Sequence, residues 1–161
     1  MRILSKTVMV VAISFFSIQA TTAQKNPAKK SVTTVTKFKP PKLHTYLSSY
    51  TDSVGIPLAI AESLLGAKLQ VFDDKKNVYT VSSYQFLYKR LVVSEDEQTG
   101  KAIPTTSIVA ERFTNTPLPT LWIDKVKEQL KTGEELYFFD VIAKDAKGVV
   151  MYASSLKIIV K

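Results

Sequence analysis

Between Val78 and Val93 the chain is dense in β-branched and aromatic residues, a composition that fits a pleated, half-buried strand and little else. The phase of this run constrains the fold further. Tyr79 and Val81 share one parity, whereas Tyr84, Phe86 and Tyr88 share the other. Side chains alternate across a strand, so the two sets would face opposite ways in an unbroken one. A β-bulge at Ser82-Ser83 would bring both onto the same buried face; otherwise both faces of the strand are covered.

The neighbouring segments read the same way. Ala67 to Phe72 alternates and runs into a turn cluster at Asp73-Asp74-Lys75-Lys76-Asn77. Ser94 to Lys101 is an acidic hairpin loop with Gly100 at its turn, and Thr105 to Thr114 resumes as strand. Asn115 to Pro119 breaks the sheet. Leu121, Trp122, Val126 and Leu130 then recur at helical spacing, opposite Lys125, Lys127, Glu128 and Lys131, and Gly133 closes that helix. A shorter helix is expected over Leu58 to Leu65, between Pro57 and Gly66. The last third reads as a strand from Glu135 to Lys144, a turn at Asp145 to Gly148, and a closing strand from Val149 to Val160. A parallel sheet would need a crossover helix between most strand pairs. The chain is therefore expected to be mainly β, an antiparallel β-sandwich with one or two short helices.

The N-terminus reads as a secretory signal peptide over residues 1–23. Arg2 and Lys6 precede an apolar run from Val8 to Ile18, and Thr21 and Ala23 sit at −3 and −1 of a cut before Gln24. That run is shorter than the ~20 residues a membrane span needs, so no transmembrane segment is expected after cleavage. An exported chain with no cysteine must be stabilised by its core, and 45% apolar residues make this feasible. Residues 24–53 read as a basic linker in which Lys25, Lys29, Lys30, Lys37, Lys39 and Lys42 accumulate with prolines and no acid before Asp52. The domain is then expected over residues 54–161. Loss of Arg2 and Lys6 lowers the formal charge from +8 to +6. Outside the cytoplasm that excess suits an anionic surface, reached through the lysine-rich linker, or an acidic partner, and gives no role with nucleic acid.

Catalytic chemistry finds few residues to work with. His44 is the one histidine and lies in the expected linker, so neither a histidine-containing zinc set nor a Ser–His–Asp arrangement is available on a fixed scaffold. The five glycines, at 55, 66, 100, 133 and 148, make no phosphate loop or dinucleotide fingerprint. Asp73-Asp74, Glu95-Asp96-Glu97 and Glu134-Glu135 fall in expected turns and lack calcium-loop spacing. No cofactor and no enzymatic activity are expected. The aromatic residues admit a second reading, a carbohydrate-stacking platform. Tyr137-Phe138-Phe139 is the notable case, because three consecutive aromatics on a strand must occupy both faces. The outer ones then need cover from the Leu121–Leu130 helix or from a partner.

The run Leu118 to Lys161 resembles the C-terminal domain of the GldM/PorM family of gliding motility and type IX secretion. The likeness rests on the segment Leu130-Lys131-Thr132-Gly133-Glu134-Glu135-Leu136-Tyr137-Phe138-Phe139-Asp140-Val141-Ile142-Ala143-Lys144 and the closing Leu156-Lys157-Ile158-Ile159-Val160-Lys161. Val81 to Tyr88 is similar to an earlier strand of the family, and Ile56 to Ala67 to the segment before it. The resemblance implies an immunoglobulin-like domain of the periplasm or cell envelope that acts through protein–protein contacts. Family members carry a membrane helix and tandem domains, which this chain does not match. The expected contact residues are Tyr137, Phe139, Tyr152, Ser154 and Lys157. The closing strand offers little to blunt an edge, with Lys157 alone among Met151, Tyr152, Leu156, Ile158 and Ile159, so an envelope protein or a second copy could add a strand there.

Overall fold

A computed structural model describes residues 39–161. The expected signal peptide, and the expected linker up to residue 38, lie outside the described residues.

The described chain is mainly β: nine strands and two short helices. In order these are β1 (Leu43–Leu47), β2 (Tyr50–Thr51), β3 (Ser53–Ile56), α1 (Leu58–Leu64), β4 (Leu69–Asp73), β5 (Val78–Glu95), β6 (Ala102–Phe113), α2 (Thr120–Gln129), β7 (Glu135–Lys144), β8 (Val150–Tyr152) and β9 (Leu156–Val160). The strand order is β2-β1-β4-β5-β7-β9-β3, with β6 added to β5 and β8 to β7. All neighbours are antiparallel except β3 and β9.

β5 organises the sandwich. Its first residues pair β4, its middle pairs β7, and from Tyr84 onward it pairs β6 along twelve register positions. The register with β7 shifts between Val81 and Ser83 and again between Ser83 and Gln85, the irregularity expected at Ser82-Ser83. It brings half-buried Tyr79 and Val81 against the same core that buries Tyr84, Phe86 and Tyr88. That core is completed by Leu136, Phe138, Val141 and Ala143 of β7, by Leu156, Ile158 and Val160 of β9, and by Leu43, Leu47, Leu69 and Val71 from the opposite layer.

Three expectations are corrected. The linker does not run to residue 53: β1 alternates buried Leu43, Thr45 and Leu47 with half-buried His44 and Tyr46, and pairs β4 over its whole length. The surrounding lysines and prolines hide a five-residue alternation that is long enough for a strand. Ser48 (φ 57°) and Asp52 (φ 59°) then take left-handed conformations that reverse the chain after β1 and redirect it from β2 into β3, beside β9. The closing strand, in turn, is two strands: the Ala153 amide still donates to the Val141 carbonyl of β7 at 2.9 Å, but the Ser154 amide turns to the Leu43 carbonyl of β1 at 2.9 Å. β9 is also not an edge: β7 flanks it on one side and β3 on the other. Finally, α2 buries Val126, and Trp122 meets Phe86 and Phe113 edge-on, but Leu121 is 65% exposed.

A candidate protein-interaction surface

The outer face of the β5–β7–β9 layer follows from the alternation that builds the core. With Phe86, Tyr88, Leu136, Phe138 and Ile158 turned inward, Leu87, Lys89, Glu135, Tyr137, Phe139, Lys157 and Ile159 turn outward. Register places Leu87 opposite Tyr137, and Tyr137 opposite Lys157. The Tyr137 and Phe139 rings, two residues apart on one strand, stack at 5.1 Å with planes 10° apart. Neither helix covers them: α2 sits on the inner side through Trp122, and α1 sends Ala61 and Leu64 into the core.

Beside the aromatic pair lies a three-charge cluster. Glu135 accepts from Lys157 Nζ at 2.8 Å and from Lys89 Nζ at 3.0 Å. The Lys157 ammonium, then that of Lys89, holds the Glu135 carboxyl below the usual carboxylate range. One carboxylate serves two ammonium groups, so the cluster keeps a net positive charge. A depression of about 650 Å³ opens here, walled by Leu87, Ile108, Tyr137, Ser154 and Lys157.

Of the five expected contact residues, Tyr137, Phe139 and Lys157 therefore meet on one face. Tyr152, 72% exposed, lies opposite Ile142 on β8, apart from that depression. Ser154 edges the depression but is tied into the fold: its amide donates to the Leu43 carbonyl at 2.9 Å, and its hydroxyl accepts from the Thr45 amide at 3.3 Å. Leu87, Ile108 and Ile159 were missed, although the alternation that marks Phe86 and Ile158 as core already turns Leu87 and Ile159 outward.

The second exposed feature is the far half of the β5–β6 hairpin. Beyond Lys89, which pairs Glu135, β5 has no partner but β6, and Arg90–Glu95 with Ala102–Ser107 form a two-stranded arm. Its root is held by Glu134, only 2% exposed, whose carboxylate accepts from the Tyr88 hydroxyl, from the Leu91 amide at 3.0 Å and from the Lys131 amide at 3.0 Å. Burial and this carboxylate push the Tyr88 phenol well above its ordinary range. Leu91, Val93, Ile103, Ile108 and Val109 are all exposed on the hairpin. On the inner side, a groove of about 360 Å³ separates it from α2, where Trp122 Nε1 donates to Glu111 Oε2 at 2.8 Å and Arg90 bonds Gln129.

His44, on β1, pairs with Asp74 at 2.9 Å. Among the described residues no three histidine or carboxylate side chains converge as a metal site, and no helix is long and apolar enough to cross a membrane. No protein-family model matches the chain, and no curated protein matches it.

Proposed function

We propose that the chain is an exported, non-catalytic protein-interaction module of the cell envelope. It docks a partner protein on the outer β5–β7–β9 face. The observation that carries this reading is the outward-facing, half-buried run of Leu87, Tyr137, Phe139 and Ile159 beside the Lys89–Glu135–Lys157 cluster. An apolar centre with a charged border is the anatomy of a protein contact, and the surplus ammonium group favours an acidic partner. The signal-like N-terminus supports export. The resemblance of Leu118–Lys161 to the GldM/PorM C-terminal domain supports an accessory role near gliding or type IX secretion components.

The test is binding with the fold held intact. Tyr137→Ser and Lys157→Gln should each leave the cooperative melting transition intact and lower partner capture, after crosslinking in native envelopes, by tenfold or more. Capture equal to wild type would remove this face from the account.

A second reading, a carbohydrate-binding module, draws on the parallel stack of Tyr137 and Phe139. A glycan array would favour it if a signal appears and is lost on Phe139→Ala while protein capture is unaffected.

A further inference from the structure

The free edge of β6 carries an inference of its own, in which only Ile108 is shared with the wall of the outer-face depression. At the hairpin end the Asp96 amide donates to the Lys101 carbonyl at 2.9 Å. Antiparallel pairs alternate between bonded and non-bonded, so counting back from Asp96 assigns every position. Ile103, Thr105, Ser107, Val109 and Glu111 bond toward β5. Ala102, Pro104, Thr106, Ile108, Ala110 and Arg112 point their backbone groups away from it. The Leu91 amide agrees with this count: opposite Thr106 it turns away from β6 and donates to Glu134 instead.

β6 pairs only β5 among the described strands, so the outward groups form an open edge. Pro104 withdraws one donor, but Thr105 to Ala110 contains neither charge nor proline. Native sheets rarely leave so long and uncharged an edge bare.

We propose that this edge pairs antiparallel with the same edge of a second copy, about a two-fold axis through Thr106. This register sets Thr106 against Thr106, Thr105 against Ser107, Pro104 against Ile108, Ile103 against Val109, Ala102 against Ala110 and Lys101 against Glu111. Apolar residues meet apolar ones, and the one charged pair has opposite signs. Ile103, Ile108 and Val109, exposed in the single chain, become cross-strand partners: Ile108 meets Pro104 on the face that Leu91 and Val93 share, and Ile103 meets Val109 on the other. A shift of two residues one way opposes Ile103 to Glu111; a shift the other way opposes Lys101 to Val109. The chain as a whole is basic, yet Arg90 to Phe113 holds Arg90, Lys101 and Arg112 against Glu95, Asp96, Glu97 and Glu111, so pairing two arms gathers no like charge. Such a contact is isologous and closes as a dimer.

The chain has no cysteine, so single cysteines report the register directly. Under mild oxidation Thr106→Cys should form a covalent dimer at least tenfold faster than Ile108→Cys. Directly opposed α-carbons about 5.5 Å apart suit a disulfide, whereas Ile108 lies about 13 Å along the strand from its own mate. In sedimentation at micromolar concentration the native chain should run as a dimer. Thr106→Pro, which removes only an outward N–H and lies outside the outer-face depression, should run as a monomer with an unchanged melting temperature. A monomeric native chain, equal crosslinking at both cysteines, or a folded Thr106→Pro that stays dimeric would each overturn the proposal. None of these results bears on capture at Tyr137 or Lys157, so the two readings fail separately.

Discussion

The Thr45 amide donates to the Ser154 hydroxyl at 3.3 Å, across 109 residues of chain, and the Ser154 amide returns a bond to the Leu43 carbonyl at 2.9 Å. The first described strand is thereby fastened to the segment between β8 and β9. Thr45 is fully buried although polar, so its partner at Ser154 is a structural requirement.

β1 is accordingly part of the folding unit. Leu43→Ala and Leu47→Ala should each cost about 2–5 kcal/mol in denaturant unfolding. A deletion through Leu47 should abolish the cooperative transition. Limited trypsin digestion should leave a resistant core that still contains Leu43 to Leu47.

Trp122 and Leu121, neighbours on α2, should respond very differently. Trp122→Ala removes the ring that meets Phe86 at 5.7 Å and Phe113 at 5.6 Å, and should cost about 3 kcal/mol. Leu121→Ser should stay within about 0.5 kcal/mol of the native chain, as exposed substitutions do. Equal losses at the two positions would mean that the helix docks through a different face.

These contrasts mark what was legible in the sequence. The bulge near Ser82-Ser83 was legible because two sets of aromatic and β-branched residues were out of phase, which left a register slip or a strand covered on both faces, and the ladder with β7 shows the slip. The α2 face was read correctly at Val126 and Leu130 but not at Leu121, since periodicity gives a stripe and not its width. β1 was hidden because lysines and prolines around it dominate the composition while only Leu43, Thr45 and Leu47 carry the pattern. The closing strand misled because an apolar run says nothing about its neighbours, and β3, which covers β9, begins at the boundary between expected linker and expected domain, where no strand was expected. The outer face was half legible: three consecutive aromatics required both faces of β7, but the ion pairs of Glu135 depend on strand order. The open edge of β6 depends on it as well.

Glu134 should prove structural. Glu134→Ala strips the acceptor from the Tyr88 hydroxyl and from the Leu91 and Lys131 amides, and one stranded buried donor costs about 1–3 kcal/mol. Hydrogen exchange at the Leu91 amide should accelerate in this variant ahead of global unfolding. Unchanged protection there would show that the arm is held at its root by other contacts.

Tyr84 and Tyr88 give the fold an alkaline limit. Burial pushes the Tyr84 phenol up to about 12, and burial with the Glu134 contact raises Tyr88 as well. A phenol whose folded value lies above its unfolded value contributes stability in full below the unfolded value, near pH 10, and loses it as pH rises through the folded one. Thermal stability should therefore hold up to about pH 10 and fall above it. Tyr84→Phe should flatten that fall. A decline beginning near neutral pH would point to a different titrating group.

The central claim is that the outer β5–β7–β9 face docks a protein. Photo-crosslinking in native envelopes tests it most directly, with the reactive side chain placed at Leu87 or Tyr137 and, for comparison, at exposed Leu121 or Val78. The account predicts one discrete adduct with a single protein species from Leu87 and Tyr137, and none from the comparison sites. The same adduct from all four positions, or no adduct from Leu87 and Tyr137, would contradict it.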